Sequence, residues 1–193
     1  LDHPASQTWQ ILRSEFDEML LQNAREHGAC VMEGTAVKKL VRENSITKVE
    51  TENQEKGMKA IYRAPIIIDA SGRDAFSIAR HDWRERDPGL NKISIWTYYR
   101  GAVRDPGIDE GATTIAYLPE KGWFWHIPLA NDLTSVGIVA EKDYLYKYTR
   151  KPAEIMAREI QKNVWIRKHL APAKDIGPYR VTGDFSYRSR YCA

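Results

Sequence analysis

Cysteine is scarce in this chain: Cys30 and Cys192 are the only two, and no Cys-x-x-Cys spacing occurs. Two cysteines cannot build the disulfide framework of a small secreted domain, so a reduced, cytoplasmic compartment is the default expectation. The sequence also lacks any apolar run near the ~20 residues that a membrane-spanning helix requires. We therefore expect no membrane span.

A strong excess of charge of one sign is absent as well. The net charge is +3, and the 29 lysines and arginines are scattered rather than gathered in runs. Since a nucleic-acid-binding surface normally needs a basic cluster, no nucleic-acid partner is predicted. The five histidines stand apart without the spacing of metal ligands, and no metal site is predicted.

The remaining composition is that of an ordinary globular protein, with 42% hydrophobic and 28% charged residues among 193, enough for one large or two small domains. The pattern changes near residue 88. Residues 1–88 indicate a partial α/β unit, residues 89–170 an antiparallel sheet with a covering helix, and residues 171–193 an exit segment. The predicted fold class is therefore α+β or α/β.

The first of these parts combines a helix with short strands. A strand is expected over residues 7–12, followed by a helix that has Ser14 as its N-cap and runs to His27. Gly28 suits the turn after that helix. Further strands are expected at the places where extended, β-branched residues recur: residues 29–33, 36–42, the surroundings of Val49, and residues 60–63.

A run of isoleucines without alternation, Ile66-Ile67-Ile68, follows these strands. Such a run is typical of a strand that is buried on both faces. It leads into Asp69-Ala70-Ser71-Gly72-Arg73, and residues 75–80 are expected to form a short helix.

In the second part, the sequence pattern predicts an antiparallel meander with strands over residues 92–103, 112–118, 122–128 and 134–140. The loop over residues 104–111 is rich in charge and is expected to be solvated. Pro152 suits the first position of a helix that runs to about Leu170. A last strand is predicted near residues 179–182.

The most informative stretch is Trp123-Phe124-Trp125-His126-Ile127-Pro128. Side chains alternate across a strand, so its two tryptophans are predicted to lie on one face. Pro128 ends the strand because it lacks a ladder donor. A pair of core aromatics in a sheet would give the same pattern.

Four motifs occur in order along the chain. They are Arg13-x-x-Phe16-Asp17 at a helix start, Asp69-Ala70-Ser71-Gly72-Arg73 after the isoleucines, the Trp-x-Trp-x-Ile-Pro strand, and Phe185-Ser186-Tyr187-Arg188. Together they resemble the middle of the glutathione-reductase-type flavoproteins, which include flavin-dependent halogenases, geranylgeranyl reductases and aromatic-ring hydroxylases. The Ala-Ser-Gly form and the paired tryptophans resemble the halogenase branch. The resemblance implies FAD as the cofactor and identifies residues 1–88 as a partial, Rossmann-like FAD-binding domain.

Two parts of that family pattern are missing. The chain contains no Gly-x-Gly, whereas the family binds the FAD pyrophosphate with a G-x-G-x-x-G turn. Gly183-Asp184 is followed by phenylalanine and does not match the Gly-Asp-Ala segment that contacts the ribityl chain. The lysine that relays oxidised halide in halogenases would lie upstream of Leu1. The sequence is therefore expected to be an internal piece, inactive alone and weak in FAD binding.

The resemblance assigns the cofactor-binding residues. Arg13 would contact the FAD phosphates, which a guanidinium suits, although it could be an ordinary surface arginine. The backbone at Val37 would meet the adenine. Asp69 and Gly72 form a turn that would lie against the FAD, since glycine allows a close backbone approach, but a turn with an Asp cap is the plain alternative.

The resemblance also places Trp123 and Trp125 between flavin and substrate, where they would shape a passage for a small oxidant. Neither indole is an acid, base or nucleophile, and no catalytic residue is assigned. His126 points to the other strand face and is expected to be a structural histidine with satisfied hydrogen bonds. Trp96 belongs to a second aromatic patch, interpreted as packing on the sheet.

Three functional hypotheses follow. The leading one is an FAD-dependent halogenase or halogenase-like oxidoreductase that acts on an aromatic or electron-rich small molecule, free or carrier-bound, with reduced flavin from a separate reductase. The second is a sibling flavoprotein, either a monooxygenase or a geranylgeranyl-reductase-like enzyme. The third is a non-catalytic module from a decayed flavoprotein.

Overall fold

A computed structural model describes residues 9–87, 89–118 and 122–191 of the chain. It combines helices with antiparallel sheets, as the sequence predicts. The helices are α1 (Arg13–Glu26), α2 (Phe76–Arg80), α3 (Lys142–Leu145), α4 (Pro152–Lys162) and α5 (Val164–Leu170). The strands are β1 (Thr35–Glu43), β2 (Ile46–Asn53), β3 (Lys59–Ala64), β4 (Arg84–Glu85), β5 (Lys92–Arg100), β6 (Thr114–Leu118), β7 (Gly122–Pro128), β8 (Leu133–Glu141), β9 (Lys174–Asp175), β10 (Arg180–Thr182) and β11 (Arg188–Ser189).

The described residues fall into two compact units. The first unit holds residues 9–16 and 89–184, and the second holds residues 17–87 and 185–191. No helix in the described segments combines the length and apolarity needed to cross a bilayer. Nor do those segments gather three or more His, Cys, Asp or Glu side chains into a cluster that could hold a metal ion.

The first unit is built on one antiparallel sheet. Its strands lie in the order β10-β5-β8-β7-β6, and β9 also pairs with β5. Strands β6, β7 and β8 follow one another along the chain and pair with their sequence neighbours, so the predicted meander is confirmed. The predicted strand near residues 179–182 is confirmed as β10.

One face of this sheet packs into the core of the unit. Burial alternates along β5, with Ile93, Ile95 and Tyr99 buried, and along β7, with Phe124 and His126 buried. Apolar residues of the helices join this cluster, so the helices cover this face, because a half-buried sheet must bury its apolar side against another element. The helical members of the cluster are Leu145, Ile155, Met156, Ile166 and Leu170.

The predicted single helix over residues 152–170 is interrupted. Pro152 starts α4 as expected, but Asn163 has extended backbone angles and separates α4 from α5. Its side-chain oxygen accepts a hydrogen bond from the backbone N–H of Ile166 at 3.0 Å. This N-cap starts a second helix, which is the physical reason for the break.

The second unit contains the three-stranded antiparallel sheet β1-β2-β3. The register of β1 on β2 shifts between Val37 and Lys39, which marks a bulge. A short pairing of β4 with β11 brings Arg188 opposite Glu85.

The isoleucine run is the largest departure from expectation. Residues 66–68 are not in a strand, and Ile66 and Ile68 are 77% and 85% exposed. The prediction of a strand buried on both faces is therefore wrong for this chain. The reason is that burial of a strand needs neighbours on both faces, and the described residues leave Ile66 and Ile68 largely open to solvent.

The ends of α1 also differ from the prediction. Residues 9–12 form no strand, and residues 7 and 8 lie outside the described residues. The helix begins at Arg13, so Ser14 lies inside it and is not the N-cap. Gly28 has a φ of 89°, the left-handed conformation that suits the end of a helix. The strand predicted over residues 29–33 is absent.

Candidate functional site

The turn after the isoleucines is organised by Asp69. One carboxylate oxygen accepts the backbone N–H of Ser71 at 3.0 Å, and the other accepts the backbone N–H of Ser77 at 2.8 Å. Hydrogen bonds from Ser71, with the hydroxyl contributing most, hold the pKa of the Asp69 carboxyl below its usual range. Asp69 is therefore ionised at neutral pH and fixes the loop into the start of α2, since an anionic acceptor suits the first turn of a helix.

Gly72 extends this turn with a backbone that only glycine adopts easily. Its φ is 59°, and no atom lies within 4 Å of the position that a Cβ would occupy. Its carbonyl oxygen accepts a hydrogen bond from the hydroxyl of Tyr187 at 3.2 Å. The guanidinium of Arg84 lies 4.8 Å from the centre of the Tyr187 ring. The Phe-Ser-Tyr-Arg motif and the Asp-Ala-Ser-Gly motif thus meet in the second unit.

A cavity of about 1140 Å³ opens beside this turn, inside the second unit. Its wall includes Asp69 and Gly72 together with apolar and aromatic side chains such as Ile67, Trp83 and Tyr191. A mostly apolar wall with a few polar groups is typical of a small-molecule site. Two of the predicted cofactor-binding residues therefore line one cavity.

The other two predicted cofactor-binding residues do not line that cavity. Val37 lies in β1 beside the bulge and is exposed. The bulged neighbour Lys38 uses its carbonyl oxygen to accept a hydrogen bond from the Arg80 guanidinium at 3.3 Å. Arg13 is the first residue of α1, and its side chain is exposed.

The Trp-x-Trp strand is β7, in the first unit. Trp123 and Trp125 are half-buried on one face, whereas Phe124 and His126 are buried on the other, as alternation predicts. The indole of Trp125 lies 6.4 Å from that of Trp96, measured between ring centres, with the planes tilted by 46°. The paired tryptophans therefore lie on the sheet face opposite the helical core.

His126 is the buried titratable group of this strand. Its side chain is 2% exposed, and its ring meets those of Trp165 and His169 edge-on at 5.2 Å and 5.8 Å. Its Nε2 has no hydrogen-bond partner among the described residues. The expectation of a structural histidine with satisfied hydrogen bonds is thus wrong for this nitrogen, which is buried where the Trp165 and His169 rings pack against the imidazole.

The charged loop contributes to this cluster. Asp105 accepts a hydrogen bond from Nε2 of His169 at 3.1 Å, and Arg104 donates to the carbonyl oxygen of Leu129 at 2.6 Å. Both loop residues are half-buried, so the expectation of a fully solvated loop is wrong for them. Burial, with the neighbouring His169 and Arg104, lowers the pKa of His126 to about 4, against the opposing effect of Asp105.

We expect this histidine to make the first unit sensitive to acid. A depressed pKa means that the stabilising contribution of neutral His126 is complete above the unfolded pKa of about 6.5 and is lost as the pH falls towards the folded value. The loss should total about 3 kcal/mol of unfolding free energy. Urea unfolding at stepped pH values should therefore show a steeper decline in the wild type than in His126→Phe. The matched control is His27→Gln, in the exposed turn after α1, which should leave the wild-type decline intact. Equal declines in all three proteins would contradict the assignment.

Comparison with known proteins places this arrangement in a family. The family model described as tryptophan halogenase matches residues 2–174. The chain belongs to the tryptophan halogenase family. The resemblance drawn from the four sequence motifs is thereby confirmed.

Individual relatives of this halogenase-family chain agree. It is 32% identical over 184 residues to the 1H-pyrrole-2-carbonyl-[peptidyl-carrier protein] brominase of Pseudoalteromonas luteoviolacea, covering 94% of this chain and 45% of that protein. The structure of the myxobacterial chondrochloren halogenase, a variant of the FAD-dependent halogenases, matches with a TM-score of 0.86 and 29% identity, covering 97% of this chain and 44% of that one. A flavoprotein/dehydrogenase from Cytophaga hutchinsonii matches with a TM-score of 0.85 and 25% identity, over 95% of this chain and 45% of that chain.

These comparisons settle the fold class of the halogenase-family chain. The mixed class predicted from the sequence is confirmed, because 97% of the chain matches the fold of an FAD-dependent halogenase. The chain spans less than half the length of the relatives described above.

In this halogenase-family chain, two residues near the paired tryptophans were not predicted from the sequence as site residues. Ser135 and Gly137 lie on β8 beside Trp125. A glycine flanked by Val136 and Ile138 in the interior of a strand was the available signal, since such a glycine marks a close approach by another group. The sequence alone does not show which group approaches.

Proposed function

We propose that the gene product containing this chain is an FAD-dependent halogenase that acts on an electron-rich aromatic small molecule, free or bound to a carrier protein. The observation that carries the proposal is the pair of tryptophans on the sheet face opposite the helical core, in a chain of the halogenase family. We call this face the open face of the sheet. The brominase relative acts on a carrier-bound pyrrole, which supports the choice of substrate class. A separate flavin reductase would supply reduced flavin, and we propose a cytoplasmic location.

The cavity of the second unit is suited to part of an FAD molecule. Its volume of about 1140 Å³ exceeds the common range of small-molecule pockets, which ends near about 1,000 Å³. Aromatic and aliphatic walls suit flat rings, and the backbone at Gly72 is open to close approach. These features support a fit with a dinucleotide.

Each predicted residue receives a role under this proposal. The turn held by Asp69 presents the backbone of Gly72 to the cofactor, and the exposed backbone edge at Val37 meets the adenine. Arg13 binds phosphate through its guanidinium. Trp123 and Trp125 line the surface on which the organic substrate packs.

The residues of the site indicate which part of the reaction falls to the protein and which part falls to the cofactor. Neither tryptophan can transfer a proton at neutral pH, so their contribution is to pack against the substrate ring and exclude water. Bound FAD would supply the redox chemistry for the oxidation of halide. Holding an aromatic ring in one orientation against the indoles favours attack at one ring position.

The direct test is a halogenation assay on the protein as its gene encodes it. The protein is incubated with FAD, a flavin reductase, bromide or chloride, and electron-rich aromatics both free and on a carrier protein. Mass spectrometry should show a halogen isotope pattern in the product. Trp125→Ala should lower the yield strongly, whereas Ile108→Ala, at an exposed loop position, should not. Turnover of flavin without any halogenated product would contradict the proposal.

A second candidate is a monooxygenase or a geranylgeranyl-reductase-like flavoprotein. The likeness to a structure named flavoprotein/dehydrogenase, rather than halogenase, supports a sibling flavoprotein. The same assay separates the two candidates, because oxygenated or reduced products would appear in the absence of halide.

A further inference from the structure

A single row of residues crosses the open face of the sheet through Trp125. Cross-strand pairing aligns Ile115 on β6, Trp125 on β7, Gly137 on β8 and Trp96 on β5. Directly paired residues share a face of the sheet, so all four positions lie on the face opposite the helical core. Gly137 therefore lies between the two tryptophans.

Gly137 leaves room that the indole of Trp125 fills. A Cβ at this position would lie 2.2 Å from Cζ2, 2.4 Å from Cη2 and 2.6 Å from Cε2 of Trp125. These distances are far below van der Waals contact between carbon atoms, which is about 3.5–4.0 Å. The indole thus lies over the backbone of Gly137, and any side chain there would displace it.

Ser135 holds the nitrogen of the same indole, next to the atoms that lie over Gly137. Its hydroxyl oxygen accepts a hydrogen bond from Nε1 of Trp125 at 3.2 Å. Ser135 and Gly137 are two residues apart on one strand and so present the same face. Nε1 is bonded to Cε2, so the hydrogen bond and the close approach to Gly137 act on neighbouring atoms and together hold this edge of the indole in place. Trp96 lies against the remaining side, within the distance at which aromatic rings attract each other.

We propose that Ser135 and Gly137 are positioning residues that hold the Trp125 indole beside Trp96 and so set the surface against which the substrate ring packs. The part of this proposal that concerns substrate rests on the proposed function. The part that concerns the indole does not, because it follows from contacts inside the first unit.

The indole part is tested by circular dichroism in the near ultraviolet on the 193-residue chain. The difference between the wild-type spectrum and the spectra of Trp96→Phe and Trp125→Phe gives the signal that comes from the two neighbouring indoles, the paired-indole signal. Gly137→Ala should lose that same signal, because the added methyl group displaces the ring. The matched control is Gly111→Ala, where a Cβ meets no atom within 4 Å and the signal should persist.

A second variant guards against misfolding of Gly137→Ala. Ser135→Ala removes only the hydrogen bond and should reduce the paired-indole signal at an unchanged unfolding midpoint, and Ser135→Thr should restore it. If Ser135→Ala and a folded Gly137→Ala both keep the wild-type spectrum, the positioning role is overturned. If Gly137→Ala does not fold, the spectra of Ser135→Ala and Ser135→Thr alone decide whether the positioning role holds.

The substrate part is tested by steady-state kinetics on the gene product. We expect Gly137→Ala to raise KM for the aromatic acceptor by about tenfold, equivalent to about 1.4 kcal/mol of lost binding, with kcat changed less. If Gly137→Ala loses the paired-indole signal but keeps the wild-type KM, the link between the indole and the substrate is overturned. If the wild type gives no halogenated product, the proposed function fails while the spectra still decide the indole part.

Discussion

Phe124→Ala should destabilise the first unit more than any other single truncation on the Trp-x-Trp strand. Phe124 is fully buried on the core face of β7, where it is paired with Ala116 on β6 and Ile138 on β8. Truncating a buried phenylalanine removes its transfer free energy and leaves a cavity, which together cost about 3–5 kcal/mol. Urea unfolding followed by circular dichroism should show the loss as a lower midpoint at an unchanged slope.

The matched control for this prediction lies one residue away. Trp123 is larger than Phe124 but is only half-buried on the opposite face. We expect Trp123→Ala to cost less than half as much unfolding free energy, because its indole keeps part of its contact with water in the folded state. A greater loss for Trp123→Ala than for Phe124→Ala would place the core on the wrong face of the sheet.

The second large effect is expected at Glu159 on α4. Its side chain is fully buried and accepts hydrogen bonds from the Tyr144 hydroxyl at 2.7 Å, the Arg158 guanidinium at 2.6 Å and the Lys162 ammonium at 2.9 Å. Glu159→Ala removes the common acceptor of these donors. Arg158 and Lys162 are 20% and 45% exposed, so water can reach both cations after the truncation, and the expected cost is that of lost hydrogen bonds to a charged group, about 3 kcal/mol in total. Urea unfolding of the variant should show a loss of this size.

The charge of Glu159 also gives the prediction a pH dependence. Burial raises the pKa of its carboxyl, but the hydrogen bonds from Tyr144, Lys162 and Arg158 outweigh burial and hold the pKa below its usual range. With a depressed folded pKa, the stabilisation is present above the unfolded pKa of about 4.3 and is lost as the pH falls through the folded value. Glu159→Gln should remove this acid-dependent part while keeping the shape of the side chain.

An exposed carboxylate on the same helix provides the control. Glu154 pairs with Lys151 at 2.8 Å and accepts a hydrogen bond from Thr149 at 2.7 Å, yet all of this lies at the surface. Exposed ion pairs contribute little, so Glu154→Ala should leave the unfolding midpoint nearly unchanged. Similar losses for Glu154→Ala and Glu159→Ala would show that burial of the network has no energetic consequence.

Several features of the protein could be predicted from local sequence. The alternation of β7 determines that Trp123 and Trp125 share a face, because the side-chain period of a strand is two. Pro152 determines where α4 begins, because proline lacks the N–H that a first helical residue does not need. The order of four motifs was enough to indicate the halogenase family.

Other features depend on neighbours that are distant in sequence. The isoleucine run has the composition of a buried strand, but burial requires partners, and Ile66 and Ile68 are exposed. Whether His126 would find a hydrogen-bond partner depended on Trp165 and His169, which reach it from α5. No local pattern around His126 encodes those contacts.

The sequence by itself determined the family, the meander of the first unit and the faces on which the aromatic residues lie, since these depend on residue order and strand period. The local sequence also offered the turn with an Asp cap that Asp69 makes. Only the tertiary structure decided that Gly137 accepts the indole of Trp125, because a contact between two strands follows from how those strands pair. The strand register brings Gly137 under Trp125, and that register is a property of the assembled sheet.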